Sequence, residues 1–131
     1  MRLKNFSLQY GLPLFKAFSD EARVRILHLI VQWDKMCVSD LEMALDFTQT
    51  KTSRHVIYLK NAGLLYSRKM DQWVFYSVKE EVQDFVNQMF TYLQKDPQLL
   101  RDLEISRILH SNRELALNKL EARGWRGYSA T

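Results

Sequence analysis

Apolar residues recur at helical spacing through most of this chain, and the period shortens only once, near the middle. Leu14, Phe15, Ala17 and Phe18 predict a short helix over 12–18 that Ser19 or Asp20 ends. Ser19-Asp20-Glu21 then opens a second helix, with a capping side chain and two acids at its positive end. Ala22, Ile26, Leu29, Ile30 and Trp33 lie inward on it, Val24 and Leu27 widen the apolar surface, and Arg23, Arg25 and Gln32 face out. Ser39 followed by Glu42 is a capping box that starts a third helix, with Leu41, Ala44 and Leu45 along its stripe. Asp46 can end it in the left-handed conformation. Thr48 caps a fourth helix whose inward positions are Thr52, Val56, Leu59 and Ala62, and Gly63 stops it. The same period turns Thr50, Ser53, Arg54, Ile57 and Asn61 outward.

At Leu65 the period changes. Leu65 to Lys69 and Trp73 to Val78 are rich in aromatic and β-branched residues and predict a β-hairpin joined through Met70-Asp71-Gln72. Arg68, Lys69 and Gln72 fall near its tip. Helix returns over 80–95, where Val82, Phe85, Val86, Met89, Phe90 and Leu93 form one broad stripe. Such a stripe is plain core or a subunit seam. Because other helices already fill the core, a dimer interface is the favoured assignment. Asp96-Pro97 opens a further helix carrying Leu99, Leu100, Leu103, Ile105, Ile108 and Leu109, and a second capping box at Ser111-Asn112-Arg113-Glu114 predicts a break within the tail. The last residues, with Trp125 and Tyr128, read as frayed. The fold class expected is mainly α with a small β-hairpin.

Composition narrows the setting. A chain of 131 residues with 47% hydrophobic and 26% charged residues suits one globular core. Arg2, Lys4 and Asn5 interrupt the start, against a signal peptide, and no window is long and apolar enough for a membrane helix, so no membrane partner is expected. The single cysteine, Cys37, excludes an intrachain disulfide and fits a reducing cytoplasm. The net charge is +4, and its distribution says more. Between Thr48 and Trp73, Lys51, Arg54, Lys60, Arg68 and Lys69 stand against Asp71 alone, whereas residues 79–110 carry a net of −2. A positive excess on the fourth helix and hairpin is an electrostatic footprint for phosphates, or a solvated basic face.

The order helix, helix, helix, turn, helix, hairpin, helix is that of a winged helix-turn-helix with extra C-terminal helices. In residues, the chain resembles the arsenic-repressor (ArsR/SmtB) family of bacterial transcriptional regulators. The resemblance rests on LFKAFSDEARVRIL at 14–27, VSDLEMALDFTQTKTSRHVIYLKNAGLL at 38–65 and WVFYSV at 73–78, and it covers most of residues 12–94. It implies a homodimer joined through its first and fifth helices, with a recognition helix presented to the major groove of a two-fold-symmetric operator on double-stranded DNA. Family contacts carry over to Gln49, Thr50, Ser53 and Arg54. The chemistry agrees: Gln pairs with adenine, Arg with guanine, and Ser or Thr with a base edge or phosphate. Lys51, Lys60, Arg68, Lys69 and Gln72 suit the phosphate backbone and the groove beside it. His55 is either a further DNA contact or a polar contact at the core edge. Tyr58 is expected to pack against the wing or backbone.

Many members of that family release DNA when a metal binds thiolates in a C-V-C-D-L sequence on the third helix. Here the sequence is Cys37-Val38-Ser39-Asp40-Leu41, with serine for the second thiol. The family's other metal site needs histidines in 80–95, and there are none. No metal or other cofactor is therefore expected, and the effector is unknown. Cys37 is taken as a buried inert thiol, with oxidation sensing as the alternative, and the isolated His28 and His110 as satisfied core residues. Residues 1–95 are expected to form the DNA-binding and dimerisation domain, and 96–131 a helical extension that packs on the same domain or dimer, preferably on the dimer helices. The function expected is a DNA-binding repressor. A winged-helix protein-interaction module is the alternative, and an enzyme is not expected, since no phosphate loop, nucleophile elbow or H-E-x-x-H helix occurs.

Overall fold

Short polar side chains set most of the helix boundaries. The structure, a computed structural model, describes residues 6–124, so the expectation for Trp125 and Tyr128 lies outside the described residues. Ser7 accepts the Tyr10 amide and starts α1 (Leu8–Ala17), four residues before the apolar pattern begins. Asp20 accepts the Arg23 amide at 3.1 Å and starts α2 (Glu21–Trp33). Asp46, left-handed at φ 57° and ψ 44°, ends α3 (Val38–Leu45). Thr48 accepts the Lys51 amide and starts α4 (Gln49–Asn61), and Gly63 at φ +92° turns the chain out of it, a conformation that costs a side chain.

The α3 start differs from expectation. No capping box forms at Ser39; the helix begins at Val38, with Cys37 at the cap and no side-chain cap bond. The reason is a short strand, β1 (Met36–Cys37), which the sequence pattern did not predict. It pairs antiparallel with β3 (Trp73–Val78), and β3 pairs with β2 (Leu65–Met70), giving the sheet order β1-β3-β2. Cys37 is thus a strand residue and a helix cap at once. The β2–β3 turn is only Asp71-Gln72, with Asp71 at φ 59°.

After the wing, a 3₁₀ turn (Glu80–Val82) leads into α5 (Gln83–Tyr92), then α6 (Pro97–Ser111) and α7 (Ala116–Ala122). Asp96 caps α6, as its Asp-Pro start predicts. The predicted break after Ser111 is present, but no capping box at 111–114 makes it. Arg113 takes φ 58°, and α7 is capped from across the fold by Asp40.

Two apolar clusters divide the interior. One joins Leu14, Ile26, Leu29, Ile30, Leu41, Val56, Leu59, Leu65 and Val86 beneath the helix-turn-helix. The other lies on the opposite face of the sheet, where Met70, Phe75 and Cys37 meet Leu115, Leu117 and Leu120 of the extension. Successive residues of a strand alternate faces, so Met70 and Phe75 share a face with each other and with Cys37, which is paired to Phe75. The extension therefore packs mainly on α2, α3 and β1 rather than on the expected dimer helices α1 and α5. Each of those three leucines, at no more than 3% exposed, contributes about 1.5–3 kcal/mol of burial.

Polar contacts fix α6. Arg25, expected to face solvent, forms a two-point ion pair with Asp102 at 2.8 and 3.0 Å, and Gln98 donates to the same carboxylate. Trp33 Nε1 donates to Ser106 Oγ at 2.8 Å.

Candidate nucleic-acid interface

The α4 helix rests on Thr52, His55, Val56 and Leu59, all buried, at positions i, i+3, i+4 and i+7. Thr50 and Arg54 are exposed on the opposite face, Gln49 is exposed at the first position of the helix, and Lys51 and Ser53 are half-buried beside them. Gln49 Nε2 donates to Ser53 Oγ at 3.0 Å, which orients the amide along the helix. The Lys51 ammonium sits 4.1 Å from the centre of the Phe47 ring. Lys60 Nζ donates to Ser67 Oγ at 3.1 Å and ties the end of α4 to the wing. Arg68 and Lys69 are exposed on consecutive positions of β2, and Gln72 is exposed in the turn.

Gln49, Thr50, Lys51, Ser53, Arg54 and Lys60 thus lie together on α4, with Arg68, Lys69 and Gln72 on the adjoining hairpin. His55 does not join the outward row. It is 7% exposed on the inner side of α4, near Asp20, and burial is the main cause pushing its pKa below the ordinary histidine value. Tyr58 stacks under Arg23 of α2, whose guanidinium is 4.0 Å from the ring centre and donates to the carbonyls of Lys16 and Ala17.

Two residues of this surface escaped sequence reasoning. Ile57 is 50% exposed on α4; the period placed it outward, but an apolar side chain drew no assignment. Arg123, at the end of α7, reaches the wing tip. Its Nη1 contacts the Asp71 carboxylate and lies 3.2 Å from Gln72 Oε1, and its guanidinium lies 5.1 Å from the Trp73 ring centre. Nothing local in the sequence connects these positions.

Behind the interface, Cys37 is 4% exposed with its Sγ 3.3 Å from Ser39 Oγ. Burial, aided by the Asp40 charge, pushes its thiol up to about 11. Asp40 is itself 1% exposed, and burial raises its carboxyl above the usual range, although it accepts the Ala116 and Leu117 amides. Among the described residues, no group of three or more His, Cys, Asp and Glu is placed to hold a metal ion. His110 stacks on Trp33 and lies 3.0 Å from Glu121 Oε1. His28 is buried against Phe90, but its Nδ1 has no partner, so it is not the satisfied core histidine expected. No described helix is long and apolar enough to cross a membrane.

Comparison with known proteins agrees with this geometry. The family model for bacterial regulatory proteins of the arsR family matches residues 20–67. The arsenic resistance transcriptional regulator ArsR2 of Pseudomonas putida is 39% identical over 90 residues, covering 68% of this chain and 78% of that protein. The arsenical resistance operon repressor of Escherichia coli is 41% identical over 71 residues, 54% of this chain and 61% of the repressor. A solved homodimeric winged helix-turn-helix DNA-binding domain from Mycobacterium bovis, 24% identical, superposes with a TM-score of 0.56 over 66% of this chain and 77% of that one, and establishes the fold. The curated relatives are transcriptional regulators, not enzymes. The chain belongs to the arsR family of bacterial regulatory proteins.

Proposed function

We propose that this protein is a sequence-specific transcriptional repressor that binds a two-fold-symmetric operator on double-stranded DNA as a homodimer. The observation that carries the reading is the polar cluster Gln49, Thr50, Ser53 and Arg54 over the first two turns of α4, with Thr50 and Arg54 on its outer face and Gln49 exposed at its start. In the major groove, Gln49 pairs with adenine, Arg54 with guanine, and Thr50 and Ser53 with base edges or phosphate. Lys51, Lys60, Arg68, Lys69 and Gln72 hold the backbone and fix register. His55 supports the cluster from behind. The helices α1 and α5 form the dimer seam, in keeping with the exposed Leu8, Leu12, Phe15 and Tyr92. The paired recognition helices then meet half-sites about 34 Å apart or a multiple of that. Residues 1–95 carry DNA binding and dimerisation, the described part of the 96–131 extension packs on the same domain, and the protein works in the cytoplasm.

Selection of bound sequences from random duplex DNA tests this directly. On the selected sequence, Arg54→Glu should weaken binding by about 5- to 150-fold and lower its salt dependence. Full affinity and unchanged salt dependence in that variant would overturn the reading and leave a protein-interaction module.

A further inference from the structure

The wing tip has an electrostatic problem that the extension solves. A two-residue hairpin turn needs a residue at positive φ, and Asp71 supplies it at φ 59°. That choice puts a carboxylate at the point of the hairpin offered to DNA. Residues 65–78 carry Arg68 and Lys69 against Asp71, a net of only +1. Arg123 reaches Asp71 from 52 positions further along the chain and stacks beside Trp73. With it, the tip has a net of +2.

Arg123 is not on a loose tail. It follows an α7 whose Leu117 and Leu120 are buried against Phe75 and Met70, whose first turn is capped by Asp40, and whose Glu121 meets His110. Its side chain is 47% exposed, so it cancels Asp71 while still facing solvent. An exposed ion pair of this kind contributes little to stability, about 0–1 kcal/mol. Holding the fold together is therefore a weak account of its placement.

We propose that the C-terminal extension is part of the DNA-binding surface, with Arg123 as the positioning residue that neutralises Asp71 and makes the wing tip attractive to phosphates. This rests on the reading of α4 and the wing as a DNA interface. Near 0.1 M salt, one phosphate contact fewer costs about 0.9 in log K, about eightfold per protomer.

The test uses the full chain and a fluorescein-labelled mixed-sequence duplex of about 30 base pairs, titrated by anisotropy from about 50 to 300 mM salt. Arg123→Gln should weaken binding at least about eightfold and lower the salt slope by about one for each protomer bound, while Arg123→Lys stays within about twofold of the parent. Asp71→Asn in the Arg123→Gln background should restore affinity, which lost α7 packing would not allow. Thermal midpoints confirm that each variant is folded. If Arg54→Glu loses binding but Arg123→Gln does not, or if Asp71→Asn fails to restore it, this proposal is overturned and the α4 reading stands. If neither Arg54→Glu nor Arg123→Gln changes binding, both fall.

Discussion

Replacing Asp40 with alanine should loosen the extension from the helix-turn-helix. Asp40 is 1% exposed, and its oxygens accept the Ala116 and Leu117 amides at 2.7 and 3.0 Å. Both donors lie in the first turn of α7, where no intrahelical acceptor exists. In the alanine variant both lose their acceptor beside Leu115, Leu117 and Leu120, which leave water little access. A buried unsatisfied donor costs about 1–3 kcal/mol and a lost cap about 0.5–2 kcal/mol. Allowing for partial relaxation of the first turn, the expected loss is about 2–4 kcal/mol, a large share of the ~5–15 kcal/mol that holds a domain. At this length that is a fall in Tm of roughly 6–16 °C. Asp40→Asn should not rescue it, because an amide offers one acceptor oxygen and sets its own NH₂ against the second donor. Urea unfolding measures the loss, and hydrogen exchange at residues 116 and 117 localises it. A loss under about 0.5 kcal/mol in the alanine variant, or full recovery in the asparagine variant, refutes the reasoning.

Two other outcomes test neighbouring groups. With its thiol at about 11, Cys37 is thiolate in only about three molecules per ten thousand at pH 7.5, so iodoacetamide should label it only on unfolding; rapid native labelling would contradict an inert thiol. Burial lowers the His28 pKa against the opposing pull of Asp102 and Asp96. The unfolded state therefore binds the proton more readily, and the stability His28 allows is full above about pH 6.5 and lost as pH falls through and below that value. His28→Leu, which removes the unpartnered Nδ1, should flatten this acid loss and leave neutral-pH stability unchanged or higher; a loss above about 2 kcal/mol at pH 7.5 would show that the ring has a partner.

The helix-turn-helix was legible in the sequence because its signals are local. Thr48, Asp46 and Gly63 act on groups within a few residues, and the Thr52, Val56, Leu59 stripe follows from period alone. His55 obeys the same period, three residues after Thr52 and four before Leu59, but its polar character left it open between a DNA contact and the core edge, and the structure places it on the inner side. What stayed hidden depends on partners far along the chain. Arg25 looks like a surface charge until Asp102 meets it, and Asp40 looks like an acid favouring its own helix dipole until α7 arrives. The strand β1 is too short to show any period, yet its pairing with Phe75 moves the α3 cap from Ser39 to Cys37.

These distant contacts decide how the wing sits relative to the recognition helix. Among the described residues, α4 and the sheet share the core cluster of Val56, Leu59, Leu65 and Val78, and three further links hold the wing. Lys60 to Ser67 is exposed and contributes about 1 kcal/mol at most, and Arg123 to Asp71 is an exposed ion pair of similar or smaller worth. The third is the buried cluster in which α7 packs on Phe75 and Met70 while Asp40, on α3, caps its first turn. Burial of Leu115, Leu117 and Leu120 alone is worth several times the other two links together. The angle of the wing is therefore set by buried packing, on one face of the sheet by the core shared with α4 and on the other by α3 and the extension, more than by the polar contact on the face that α4 presents. The segment Cys37-Val38-Ser39-Asp40-Leu41 is where that leverage is applied: its thiol is buried under α7, its serine meets that thiol, and its aspartate holds α7 in place.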